Sequence, residues 1–155
     1  MIHSKKQLTE PFPIKGTLYV YDGKVTIDEH LAGIKTPAFV INNLIPTVGR
    51  AYIMGGSGES LADIDACCLG DNATARALSD TDLKSLIFTA SPTDARVSGT
   101  KRITELFVGI NEANFTHREF GLKANGTLIS TLVLTPEFVK TTAKTRTYIH
   151  SLGWL

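Results

Sequence analysis

The chain has 155 residues, of which 43% are hydrophobic and 20% charged; sixteen basic and fifteen acidic residues leave a formal net charge of +1. That length suits one domain with its own core and no need of disulfide or metal staples. The cancelled charge offers no basic field for nucleic acid or an anionic membrane, and no apolar run approaches the roughly 20 residues of a membrane span.

Residues 1–15 read as an N-terminal arm and 16–155 as one domain. Met1 to Thr9 is polar and basic, without the apolar stretch of a secretory signal. Pro11-Phe12-Pro13 is extended, because the residue before a proline is pushed out of the helical region. A first strand is expected near Gly16–Tyr21, with Leu18 and Val20 alternating against Tyr19 and Tyr21. Asp22-Gly23 reads as a two-residue hairpin turn and Val25–Asp28 as the returning strand.

A third extended piece is Ala38–Ile41. Asn42-Asn43 is expected to cap a short helix over Leu44–Met54, with Leu44, Val48, Ala51 and Tyr52 on one face. Gly55-Gly56-Ser57-Gly58 ends that helix. It is not a phosphate loop, since it follows a helix and lacks the lysine that meets the phosphates. Leu61–Leu69 reads as a strand with Ile64, Ala66 and Cys68 facing one way. Cys67 and Cys68 are adjacent, so they point to opposite faces and do not bridge; they fit two buried thiols of a chain made in a reducing cytoplasm.

Gly70-Asp71-Asn72 is a turn, Ser79-Asp80-Thr81-Asp82 caps a single helical turn at Leu83–Leu86, and Ala90–Gly99 is a turn-rich connection. Four strands then follow: Lys101–Ile110, Thr116–Leu122, Leu128–Leu134 and Thr145–Leu152. Asn125-Gly126 joins the middle two as a type I′ hairpin, because both positions accept positive φ. Thr127, Ser130, Thr131 and Thr135 suggest a solvated or partner-facing sheet side. The whole reads as mainly β: an antiparallel, jelly-roll-like β-sandwich with one short helix and an extended N-terminal arm.

Chemistry is thin along this chain. His117 and Glu119 would share a strand face as a base and its orienting carboxylate, but no nucleophile motif accompanies them, and the plainer reading is a polar sheet edge with Arg118 and Glu119 in ion pairs. Asp63, Asp65, Asp71, Asp80 and Asp82 lack the spacing of a calcium loop, so no metal and no cofactor is expected. Trp154, the sole tryptophan, is a candidate subunit contact, together with Pro11, Phe12 and Pro13.

The order of these features resembles a family of small tailed-bacteriophage structural proteins and fibre-anchor domains. The matching residues are Asn43-Leu44 with Gly49-Arg50-Ala51, the Gly55-Gly56 break, Leu69-Gly70-Asp71-Asn72-Ala73-Thr74 and Ser79-Asp80-Thr81-Asp82-Leu83. They continue with Arg118 to Leu122, Asn125 to Pro136, and Lys140-Thr141. Asn72 stands where the family has Gly, a proline-rich step before Ser79 is absent, and residues 1–15 have no counterpart. The resemblance implies a non-enzymatic virion component, made in the bacterial host cytoplasm and assembling in several copies at the tail, neck or collar, or baseplate. Its partners would be other virion proteins and copies of itself, with no direct nucleic acid and no membrane. Asp22, Gly23, Gly70, Asp71, Asn125 and Gly126 would serve as turn residues and Arg118 and Glu119 as a paired edge. Alternatives are a capsid decoration or head-fibre base, and a receptor- or carbohydrate-binding module presenting Tyr19, Tyr21, Tyr52 or Tyr148 to a host receptor.

Overall fold

A computed structural model describes residues 12–55 and 60–154. Nine strands form two antiparallel sheets: β1 (Ile14–Asp22), β2 (Phe39–Asn42), β3 (Ile64–Gly70), β4 (Leu86–Ala90), β5 (Asp94–Ser98), β6 (Lys101–Val108), β7 (Thr116–Ala124), β8 (Thr127–Val139) and β9 (Arg146–Trp154). One sheet runs β2-β1-β9-β6-β5 and the other β4-β3-β7-β8. Their inner faces meet in one apolar cluster that includes Leu18, Val20, Leu69, Leu106, Phe120, Leu122, Ile129, Tyr148 and Leu152. The chain is therefore the antiparallel β-sandwich its alternating strands predict.

Both outer faces are partly covered. On the five-stranded sheet, Tyr21, Ile103 and Ile149 pack against Val25 and Ile27, which lead into α1 (Ile27–Leu31). On the four-stranded sheet, Cys68 and Leu128 pack against Leu83 of the 71–85 loop and Val48 of α2 (Thr47–Gly55). Gly49 makes the α2 contact possible. A Cβ there would lie 2.8 Å from the backbone carbonyl oxygens of Leu128 and Ile129, so only glycine lets the helix sit this close to β8.

Several expectations are corrected. Val25–Asp28 is not a returning strand. Thr26 caps α1: its hydroxyl accepts from the Glu29 N–H while Glu29 reaches back to the Thr26 N–H, a reciprocal box that outweighs the short Val25/Ile27 alternation. Asp22-Gly23 is accordingly no hairpin; Gly23, at φ 77, turns the chain off β1 and donates to the Thr145 carbonyl. Asn42 ends β2 and Asn43 bonds across the sandwich, so neither caps α2. That helix buries Gly49 and Ile53 rather than Ala51, which is exposed. β1 starts at Ile14, inside the segment expected to be arm.

A β-bulge between Ile64 and Ala66 changes parity in β3, so Cys67 joins Ile64 in the main core while Cys68 faces the outer cluster. The two thiols do point to opposite faces, and both are free and buried. Leu83–Leu86 holds no helical turn; β4 begins at Leu86, and β5 occupies the stretch read as a turn-rich connection. Ser130 and Thr131 are buried, not solvated, since Leu44 bridges to Thr131 over that part of β8. The β7–β8 hairpin is as expected: Asn125 and Gly126 take φ of 49 and 84 between Ala124 and Thr127.

Candidate functional site

The side chains with the most chemical potential are buried and paired. A bulge between His117 and Glu119 separates the two residues expected to share a face. His117 points into the core. Its Nε2–H donates to the Ala113 carbonyl at 2.8 Å, which leaves Nδ1 to accept from the Tyr148 hydroxyl at 2.7 Å across the sandwich. Burial, with the Arg146 and Lys140 charges adding to it, pushes the imidazole down to about 4 despite the Ala113 bond. His150 makes the second cross-sheet link: its Nε2 lies 2.9 Å from Ser130 Oγ, which accepts from Asn43 Nδ2 at 2.6 Å, and Asn43 Oδ1 accepts from the Gly16 N–H at 2.9 Å. Burial pushes His150 down to about 3, and its Nδ1 has no partner among the described residues. Both rings are neutral at pH 7.

Glu119 lies on the opposite face of β7, fully buried beneath the 71–85 loop. One oxygen accepts from Arg76 Nη1 and the Lys84 N–H, the other from the N–H groups of Asn72 and Ser85. Four donors converge on one carboxylate and tie the loop down. Arg118 pairs instead with Glu137 and donates to the Asp71 carbonyl. The expected edge is corrected, since β7 is an inner strand between β3 and β8; Arg118 and Glu119 are in ion pairs as expected, but with different partners.

Lys140 is buried with its Nζ donating to Asn114 Oδ1 at 2.6 Å and the Thr141 carbonyl at 3.0 Å. Desolvation lowers its pKa. The aspartates are occupied separately: Asp63 accepts from the Tyr52 hydroxyl, Asp80 pairs with Lys84, and Asp82 pairs with Lys123. Among the described residues no group of three or more His, Cys, Asp or Glu is placed to hold a metal ion, and no helix is long and apolar enough to cross a membrane.

The remaining candidates lie at the surface. Pro11 and the Gly56–Glu59 part of the glycine-rich stretch fall outside the described residues. Phe12 packs partly buried against the main core, with the Arg50 guanidinium 4.9 Å above its ring, while Pro13 is exposed. A surface cavity of about 470 Å³ lies beside them, lined by Phe12, Lys15, Asn42, Ile45 and Arg50 among others. Trp154 is half-exposed at the end of β9 and flanks a second cavity of about 280 Å³ with Val97, Lys101 and Arg102. Leu86, Ile87, Val97 and Val40 are exposed on end strands β4, β5 and β2, and sequence reasoning singled out none of them. Alternation marks which residues point outward, but not which strand ends its sheet. Of the four tyrosines, Tyr148 and Tyr21 are buried and Tyr21 bonds His30 at 2.7 Å.

No family model matches this chain, and no curated protein or solved structure matches it.

Proposed function

We propose that this chain is a non-enzymatic structural component of a tailed-phage virion, assembling in multiple copies at the tail, neck or collar, or baseplate through its N-terminal segment and sheet edges. The supporting observation is the set of apolar side chains on end strands. Val40 on β2, Ile87 on β4 and Val97 on β5 are each at least half exposed, on strands whose outer edges carry no further strand among the described residues. Such edges are aggregation hazards in a protein that stays alone and natural pairing surfaces in one that assembles. The placement of the polar groups fits the same reading: His117, His150 and Glu119 are buried and bonded between sheets and loops inside the protein.

The test is twofold. Mass spectrometry of purified virions should find the chain at many copies per particle, and its absence would sink the virion reading. Light scattering after size exclusion should show concentration-dependent oligomers that Ile87→Lys and Val97→Lys abolish; a strict monomer at high concentration would remove the assembly part. A density map of the particle would separate a tail or collar position from a capsid or head-fibre one.

A further inference from the structure

We infer that the cavity beside Phe12 is a docking site for an extended acidic segment of another protein, seated where end strand β2 stops. Three observations converge there. The cavity, about 470 Å³, is lined by Lys15 and Arg50 and, among the described residues, by no carboxylate. Arg50 uses Nε to donate to the Ile45 carbonyl at 2.8 Å and stacks on Phe12, so the guanidinium is held in place while its two Nη groups have no acceptor among the described residues. Lys15 is exposed and has no ion-pair partner among them either. A fixed guanidinium with its outer fork open matches the planar geometry of a carboxylate.

The walls add an apolar part, Phe12, Leu44 and Ile45, and an amide, Asn42. Asn42 is also the last residue of β2, which pairs with β1 on one side only. Alternate backbone N–H and C=O groups of β2 therefore face outward without a ladder partner among the described residues. An incoming strand that pairs with β2 would run past Asn42 and lay one acidic side chain against Arg50 and Lys15, with an apolar neighbour on Phe12 and Ile45. This is strand addition with side-chain pockets for specificity. Residues 1–11 of the chain itself are a poorer occupant by charge, carrying Lys5 and Lys6 against Glu10 alone. The inference rests on reading the chain as a part that docks to other proteins. Virion mass spectrometry tests that reading and peptide binding tests this site, so each can fail without the other.

The experiment is fluorescence anisotropy of the full chain with a labelled alternating valine–glutamate hexapeptide, beside valine–glutamine and valine–lysine versions. The glutamate peptide should bind about tenfold or more tighter than the others, a difference of about 1.4 kcal/mol, and should weaken as salt is raised. Arg50→Gln should weaken it about tenfold and the charge reversal Lys15→Glu by a similar factor. Lys15 is exposed, so that variant keeps its melting temperature even if Arg50→Gln does not. Equal binding of the three peptides would overturn the proposal, as would binding indifferent to Lys15→Glu. Saturation by succinate or inorganic phosphate alone, with no gain from the peptide, would make this a small-anion site and overturn it too.

Discussion

Each sheet of the sandwich carries a glutamate on its outer face that holds a chain segment, and the two are built differently. Glu105 of β6 accepts the Ile27 N–H at 3.0 Å and so anchors the start of α1, but no cation shares its burial. Desolvation raises its pKa, against the lowering effect of the Ile27 bond. Glu119 of β7 accepts three backbone N–H groups and the buried Arg76 guanidinium. The difference teaches that burial of a carboxylate is neither stabilising nor destabilising in itself; the number and charge of the donors decides.

The comparison breaks most directly at Glu119. Glu119→Gln leaves Arg76 charged and buried with only the Asn72 and Thr74 carbonyls and no carboxylate partner, and should cost about 3–5 kcal/mol. Denaturant titration should show it, with amide exchange accelerating first in residues 71–85 and little change around α1. A loss under about 1 kcal/mol would mean the clamp is not what holds the loop. The next effect belongs to the seam between the sheets. His117 and His150 are depressed in the folded state, so the unfolded chain takes up their protons first as pH falls below about 6.5. The stability they contribute is complete above that pH and falls away toward pH 4, by on the order of 3 kcal/mol for His117. Equilibrium unfolding at pH 7 and pH 4.5 should show this slope, and it should shrink in His150→Gln.

Thr26→Ala removes one half of the capping box and should cost about 1 kcal/mol, read as a lower melting temperature with faster exchange confined to the α1 side. Smallest is Glu105→Gln, which keeps an oxygen for Ile27 N–H while deleting a poorly solvated charge. It should change stability at pH 7 by less than about 1 kcal/mol. Because the Glu105 pKa is raised, wild-type stability from this group increases as pH falls through its titration, and the variant should lack that gain. A large loss at pH 7 in Glu105→Gln would erase the contrast with Glu119.

The part of the fold visible in the sequence is the part governed by local rules. Strands β6 to β9 are long runs rich in β-branched and aromatic residues, and Asn125-Gly126 has a turn chemistry few other pairs share. The Thr26-Ile27-Asp28-Glu29 spacing is a local capping-box signal as well, masked by the Val25/Ile27 alternation and the adjacent Asp22-Gly23 pair. What was not readable depends on distant chain. An extra residue in β3 reverses the facing of Ala66–Cys68, a longer register shift against β8 separates His117 from Glu119, and no composition marks either irregularity. Strands β4 and β5 are five residues each and gain their identity from the neighbours they pair with. The burial of Glu119 is set by donors 34 to 47 positions away, and the Phe12 cavity by Arg50 folding back over a residue far upstream.

The pairing of β1 with β9 runs from Ile14 opposite Trp154 to Asp22 opposite Arg146, a contact 124 positions apart even at its nearer end. These two strands form the middle of the five-stranded sheet, between β2 and β6. During synthesis, β1 emerges from the ribosome first among the strands and waits for the last one before its central neighbour exists. The four-stranded sheet has all of its strands by residue 139 and can form its hairpins earlier. Closure of the five-stranded sheet therefore waits for β9, with the slow closure expected of high contact order. In that interval β1 exposes Leu18 and Val20, and chaperone binding to stalled chains ending before residue 146 should be stronger than to chains that include β9.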